Sequence, residues 1–100
     1  MKVLLINGSP RKNGNTATAL AAVAKELTAQ GIEPVFVQLG NQSVRGCIAC
    51  GGCRRTPGGL CVFTEDPVNE CVRLMAECDG LVIGSPVYYS GIAGTMKSFL

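Results

Sequence analysis

Apolar and polar residues follow two rhythms along this chain. Lys2 to Asn7 carries the unbroken apolar run Val3-Leu4-Leu5-Ile6, too short for a helix and rich in β-formers, which predicts a strand buried on both faces. After a turn-rich stretch, Gly8 to Asn15, apolar residues recur at Ala17, Leu20, Ala21, Ala24 and Leu27. That is helical spacing, with Asn15 suited to the N-cap and Gly31 to the C-terminal stop. Val35, Val37 and Leu39 then alternate with Phe36 and Gln38, a strand that Pro34 assigns to a sheet edge. A second helix is predicted from Asp66 as N-cap and Pro67 at the first position, with Val68, Cys71, Val72 and Met75 on its apolar face. Gly80 to Gly84 reads as a third buried strand. Ser85 to Gly91 reads as a loop, and Ile92 to Leu100 as the start of a third helix.

Alternation of strand and helix implies an α/β fold with a doubly wound parallel sheet and right-handed crossovers, strand order 2-1-3 for the part present. Such sheets usually run to about five strands, and the pattern stops at Phe99-Leu100 inside an apolar helix. The expectation is a single domain over residues 1–100 that forms the N-terminal part of a longer protein.

Composition narrows the function classes. Apolar residues make up 47% of the 100, and the formal charge of +2 includes no basic run, so nucleic acid is not an expected partner. No apolar stretch is long enough to cross a bilayer. Met1-Lys2 passes straight into the first strand, leaving no room for a secretory leader. Six cysteines without such a leader fit a reducing cytoplasm better than a disulfide framework.

Three loops carry candidate chemistry. The first, GSPRKNGNT, follows strand 1 and offers Ser9, Asn15 and Thr16 as small hydrogen-bonding side chains, Arg11 as a cation, and the open N–H groups of a helix N-terminus. Both the dinucleotide fingerprint G-x-G-x-x-G and the Walker lysine motif are missing, which points to a mononucleotide phosphate. An ordinary strand-to-helix turn with a capping Asn is the plainer alternative. The second, Ser85-Pro86-Val87-Tyr88-Tyr89-Ser90-Gly91, holds both tyrosines of the chain. In a 2-1-3 sheet it faces the first loop across the point where winding reverses, where ligands bind. Its flat apolar surface suits a planar heterocycle, although loop tyrosines also commonly pack on a neighbouring helix.

The third loop runs from Gly46 to Cys61 and holds four of the six cysteines as Cys47-x2-Cys50-x2-Cys53-x7-Cys61. Three readings stay open. Four thiolates closing locally are the ligand set of a [4Fe–4S] cluster, with Arg45, Arg54 and Arg55 offsetting charge and Gly51, Gly52, Gly58 and Gly59 letting N–H groups approach sulfur. They could instead bind zinc, although the spacing fits paired zinc knuckles poorly. Or they are free thiols, or a labile disulfide near a flavin. Cys71 and Cys78, seven apart, read as buried apolar thiols on one helical face.

GSPRKNGNT, GCIACGGC and GSPVYYSGIAGTMKSFL, in that order along the whole chain, resemble NAD(P)H-dependent FMN reductase-like flavoproteins of flavodoxin-like fold, and most narrowly the iron–sulfur flavoproteins. The resemblance implies an FMN-binding oxidoreductase. The FMN phosphate would lie on Ser9, Arg11, Asn13, Asn15 and Thr16, and its ring against Pro86, Val87, Tyr88, Tyr89 and Gly91. A [4Fe–4S] cluster on Cys47, Cys50, Cys53 and Cys61 would exchange electrons with the flavin. It also implies a ferredoxin-like donor or NAD(P)H as reductant, and a homo-oligomer. No residue reads as a general acid or nucleophile, so the chemistry would belong to the cofactors. The alternatives are a two-electron NAD(P)H-dependent FMN or quinone reductase without a cluster, and a zinc-stapled binding domain without turnover.

Overall fold

The computed structural model describes all residues from Met1 to Leu100. Its main sheet has three parallel strands in the order β2-β1-β3, with β1 over Lys2–Asn7, β2 over Glu33–Gln38 and β3 over Gly80–Gly84. The expected order is therefore observed, with Pro34 on an edge strand. The first crossover steps to one side of β1 and the second to the other. Right-handed winding then puts the connecting helices on opposite faces of the sheet. Helix α1 (Asn15–Ala29) covers one face, while α2 (Val68–Glu77) and α3 (Gly94–Phe99) cover the other.

The alternation of β1 sorts its side chains between two cores. Val3 and Leu5 pack with Leu20 and Ala24 of α1, and Leu4 and Ile6 pack with Leu39 and Met96. Leu4, Leu5 and Ile6 have no exposed surface, and each contributes about 2 kcal/mol of burial. The end of α1 is a Schellman turn: Ile32 N–H donates to Leu27 C=O at 2.9 Å and Gly31 N–H to Thr28 C=O at 3.0 Å. Gly31 takes φ +76°, as a left-handed stop requires.

Several local expectations are corrected. Strand β3 is not buried on both faces: Val82 packs on the α1 side, while Leu81 and Ile83 are exposed on the other. Gly14, not Asn15, is the N-cap of α1, so Asn15 stands exposed at the first helical position with its amide unused for capping. Helix α2 begins at Val68 with Pro67 before it, yet Asp66 still serves the helix start by accepting the Val68 N–H at 3.2 Å. Val72 is exposed rather than part of the buried stripe, and α2 ends before Cys78, which packs half-buried against the core. Finally, the stretch read as a loop and helix start is a hairpin of β4 (Val87–Tyr88) and β5 (Gly91–Ile92), and α3 starts only at Gly94. Val87 pairs with Ile92 across strands of only two residues, too short to show a strand period in the sequence. No helix is long and apolar enough to cross a membrane.

Cys71 is fully buried, as expected of an apolar thiol. Burial, assisted by the negative charges of Glu70 and Asp66, pushes its thiol above the usual value. Below the ordinary thiol pKa of about 8.5 both folded and unfolded chains hold the proton. Above it the unfolded chain ionises first, so folding stability falls as pH rises. The urea midpoint is expected to drop between about pH 8 and pH 10, and to drop less in Cys71→Ala.

Candidate functional site

At the C-terminal end of the sheet, the exits of β1 and β3 are tied together by the Gly8 N–H, which donates to Gly84 C=O at 2.7 Å. A side chain at Gly8 would meet Met96 Cε at 2.7 Å and Gly84 O at 3.0 Å, so glycine is required by close approach. The loop beyond is fixed by a polar network. Asn7 Oδ1 accepts the Ser9 N–H at 2.9 Å, and Asn7 Nδ2 donates to Gln38 Oε1 at 2.9 Å. Gln38 Nε2 in turn donates to Ser9 C=O at 2.8 Å, and the Arg11 N–H donates to Ser9 Oγ at 3.1 Å. Gly40 closes over this turn, where a Cβ would lie 2.2 Å from the Ser9 carbonyl oxygen.

The polar groups that this network holds outward remain open. The first intrahelical bond of α1 is Thr18 N–H to Gly14 C=O at 3.0 Å, so the N–H groups of Asn15, Thr16 and Ala17 have no intrahelical acceptor. Arg11, Asn13 and Asn15 are exposed and Thr16 is half-buried. Arg11 takes part in neither of the chain's two salt bridges, Lys2–Glu33 and Arg45–Glu65. Ser9 is nearly buried and works mainly inside the loop. A positive helix end with an unpaired cation and free amides favours an anion.

Beside this loop stands the β4–β5 hairpin. Its two-residue turn, Tyr89-Ser90, has φ of 50° and 63°, the left-handed pair of a type I′ turn and uncommon without glycine. Ser85 pins the base: its Oγ–H donates to Pro86 C=O at 2.9 Å and its oxygen accepts the Ala93 N–H at 2.9 Å. Tyr89 is fully exposed, and Val87, Tyr88 and Ile92 are exposed as well. Gly91 and Gly94 meet no obstruction within the chain: a Cβ at Gly91 would touch only Tyr88 O at 3.7 Å, and one at Gly94 nothing within 4 Å. Neither glycine is demanded by the fold, and together they leave open space next to an uncovered aromatic surface.

The cysteine loop leaves β2 and packs under α2. Cys47, Cys50, Cys53 and Cys61 all line one cavity of about 250 Å³, with Ile48, Phe63, Val72 and Phe99 among its apolar walls. All six cysteines are free thiols. Short 3₁₀ turns at Gly52–Arg54 and Pro57–Gly59 shape the loop, and the Ala49 and Gly52 N–H groups donate to Cys47 Sγ at 3.3 Å and Cys50 Sγ at 3.4 Å. No three His, Cys, Asp or Glu side chains gather in the way one metal ion needs.

The stem of the loop is clamped by Arg45. Its N–H donates to Asp66 Oδ2 at 3.2 Å, its Nη1 meets Glu65 Oε1 at 3.3 Å, and its guanidinium lies 4.0 Å over the Phe63 ring. Arg45, though exposed, is thus committed to the stem, while Arg54 and Arg55 take part in neither salt bridge. The cavity wall includes Ser98, Phe99 and Leu100. It therefore lies at the opposite end of α3 from the hairpin, about 9 Å along a six-residue helix. Sequence reasoning missed Asn7, Gln38, Gly40 and Asn69. Nothing local distinguishes them from solvated polar or turn residues, because the contacts that give them their roles, such as Asn7 with Gln38 and Asn69 with Cys61, join positions 31 and 8 apart along the chain.

A parallel 2-1-3 sheet with an open helix-end loop and an aromatic hairpin at its switch point defines a flavodoxin-like α/β protein. Residues 1–100 match the model of the NADPH-dependent FMN reductase family, and the chain belongs to that family. An iron-sulfur flavoprotein of Methanocaldococcus jannaschii is 36% identical over 100 residues, which cover 100% of this chain and 50% of the relative. An iron-sulfur flavoprotein of Archaeoglobus fulgidus is 39% identical over 100 residues, covering 100% of this chain and 44% of that protein. The crystal structure of RosB with bound 8-demethyl-8-formylriboflavin-5'-phosphate matches the fold with a TM-score of 0.69 at 16% identity, over 99% of this chain and 40% of that one. The chain spans about half the length of the curated relatives it matches.

The Asn7–Gln38–Ser9 network gives a direct test of how the loop is held. Gln38→Leu strands the Asn7 amide and the Ser9 carbonyl in a nearly buried setting, and is expected to cost about 2–3 kcal/mol in urea unfolding. A loss below about 0.5 kcal/mol would mean that water replaces the network.

Proposed function

We propose that this chain is the FMN-binding part of an electron-transferring flavoprotein oxidoreductase that also holds a [4Fe–4S] cluster. The observation that carries the reading is the Gly8–Gly84 bond at the paired exits of β1 and β3, which sets an open anion-binding loop beside an uncovered aromatic hairpin. In this reading Ser9, Arg11, Asn13, Asn15 and Thr16 receive the FMN phosphate, and Pro86, Val87, Tyr88, Tyr89 and Gly91 receive the isoalloxazine. The open space at Gly91 and Gly94 and the exposed Tyr88 and Tyr89 support the second assignment.

Cys47, Cys50, Cys53 and Cys61 are the ligands proposed for the cluster. Support comes from their shared cavity, from the N–H donors on two of the sulfurs, and from relatives named iron-sulfur flavoproteins. When bound, FMN supplies the interchange between two-electron and one-electron chemistry, and the cluster supplies single electrons. The chain's own contribution is anchoring and electrostatics: helix-end amides and Arg11 at the phosphate, tyrosine surface at the ring, and N–H groups at sulfur that tune potential. NAD(P)H or a ferredoxin-like protein serves as reductant. A homo-oligomer in a reducing cytoplasm completes the reading, the latter in keeping with six free thiols.

Spectra and iron analysis of anaerobically prepared protein test it. Flavin bands with a broad cluster shoulder are expected, and Cys50→Ser should lose its iron while keeping FMN. Full iron in Cys50→Ser would overturn the ligand assignment. Flavin bands without iron in the unaltered protein would favour a two-electron reductase.

A further inference from the structure

The first three cysteines of the loop are aimed by local turns, since Gly46, Ala49 and Gly51, one or two positions before Cys47, Cys50 and Cys53, all take left-handed backbone angles. Cys61 stands eight positions after Cys53, across a longer segment that itself turns through left-handed Gly58 and Gly59. The seven intervening residues form a pinched-off bulge: Thr56 Oγ lies against both the Cys53 C=O, at 3.1 Å, and the Leu60 C=O. Beyond the pinch, Cys61 is gripped by one side chain. Asn69 Oδ1 accepts the Cys61 N–H at 2.7 Å, and Asn69 Nδ2 donates to the Cys61 C=O at 2.8 Å.

That grip is specific. An amide side chain paired with the N–H and the C=O of one residue fixes the peptides on both sides of its Cα, and so the direction of its Cα–Cβ bond, from which the sulfur is carried. Asn69 is itself only 6% exposed and sits in the first turn of α2, two positions before the fully buried Cys71. Its anchor is therefore the protein core. A polar side chain at this depth serves nothing else in the helix, and no buried side-chain polar atom of the chain lacks a partner.

We infer that Asn69 is a positioning residue for the fourth cluster ligand, holding Cys61 at the cavity through both of its backbone groups. The inference rests on the cluster reading given above. It assigns to Asn69 the work of making a widely spaced fourth cysteine behave as part of one ligand set.

The test uses anaerobically purified holoprotein and four variants: Asn69→Leu, Asn69→Asp, Cys61→Ser, and Asn69→Leu combined with Cys61→Ser. Iron loss to a chelator, flavin absorbance and the cluster midpoint potential are read on each. Asn69→Leu is expected to release iron about 10-fold faster or more, the effect of losing an outer-shell partner, with FMN retained. The double variant should release iron no faster than Cys61→Ser alone, because Asn69 acts through that sulfur. Asn69→Asp keeps the acceptor for the Cys61 N–H but sets a carboxylate against its C=O. It should fold, lose iron at an intermediate rate and shift the potential, and it decides the matter should Asn69→Leu fail to fold. Additive effects in the double variant, or simultaneous loss of flavin and iron, would reduce Asn69 to a general structural role and overturn the inference. So would wild-type iron retention and potential in both Asn69 variants while Cys61→Ser loses iron, a result that leaves the cluster reading standing. Unaltered protein that takes up no iron would overturn both.

Discussion

Burial of β1 on both faces is the constraint from which the rest of the geometry follows. With Leu4 and Ile6 committed to one core and Leu5 to the other, a slip of one residue would exchange the faces and break both cores at once. The register of β1 against β2 and β3 is thereby set, and with it the level at which the strands end. Asn7 pairs with Gln38 on one side and Gly84 on the other. The loops after β1 and β3 must then emerge together, and the Gly8–Gly84 bond completes the junction.

Rigid support and open chemistry are divided between different residues. Asn7, Gln38, Ser9 and Gly40 spend their polar groups, or their lack of a side chain, on one another, and leave Arg11, Asn13, Asn15 and the first amides of α1 facing outward. The hairpin repeats the arrangement, with Ser85 binding its base while Tyr88 and Tyr89 stay uncovered. In the cysteine loop Arg45 and Asn69 secure the stem and the last cysteine, leaving four thiols around one cavity. Functional groups on loops held by a scaffold are the usual solution. The scaffold here is a few side chains at each loop base.

Strong periodicity made the main elements legible in the sequence. The run Val3 to Ile6, the spacing of Leu20, Ala24 and Leu27, and the glycine at position 31 each report a local preference that the fold keeps. Pro34 carried the edge assignment correctly. What was not legible depends on contacts between distant segments. Gly14 takes the cap position with extended backbone and no side-chain bond, one residue before the Asn15 that composition favours. The β4–β5 hairpin has only two residues per strand and a turn without glycine, so no composition signal announces it. Asn69 belongs to no sequence motif, and its role exists only once Cys61 is brought alongside.

The central claim is that the joined exits of β1 and β3 hold a flavin by its phosphate. Equilibrium titration of the protein with FMN and with riboflavin, followed by quenching of flavin fluorescence, tests it most directly, because the two ligands differ only in that phosphate. Two or more charge-assisted hydrogen bonds predict FMN binding about 100-fold tighter or more than riboflavin. Equal affinities for the two, or no uptake of either, would contradict the account.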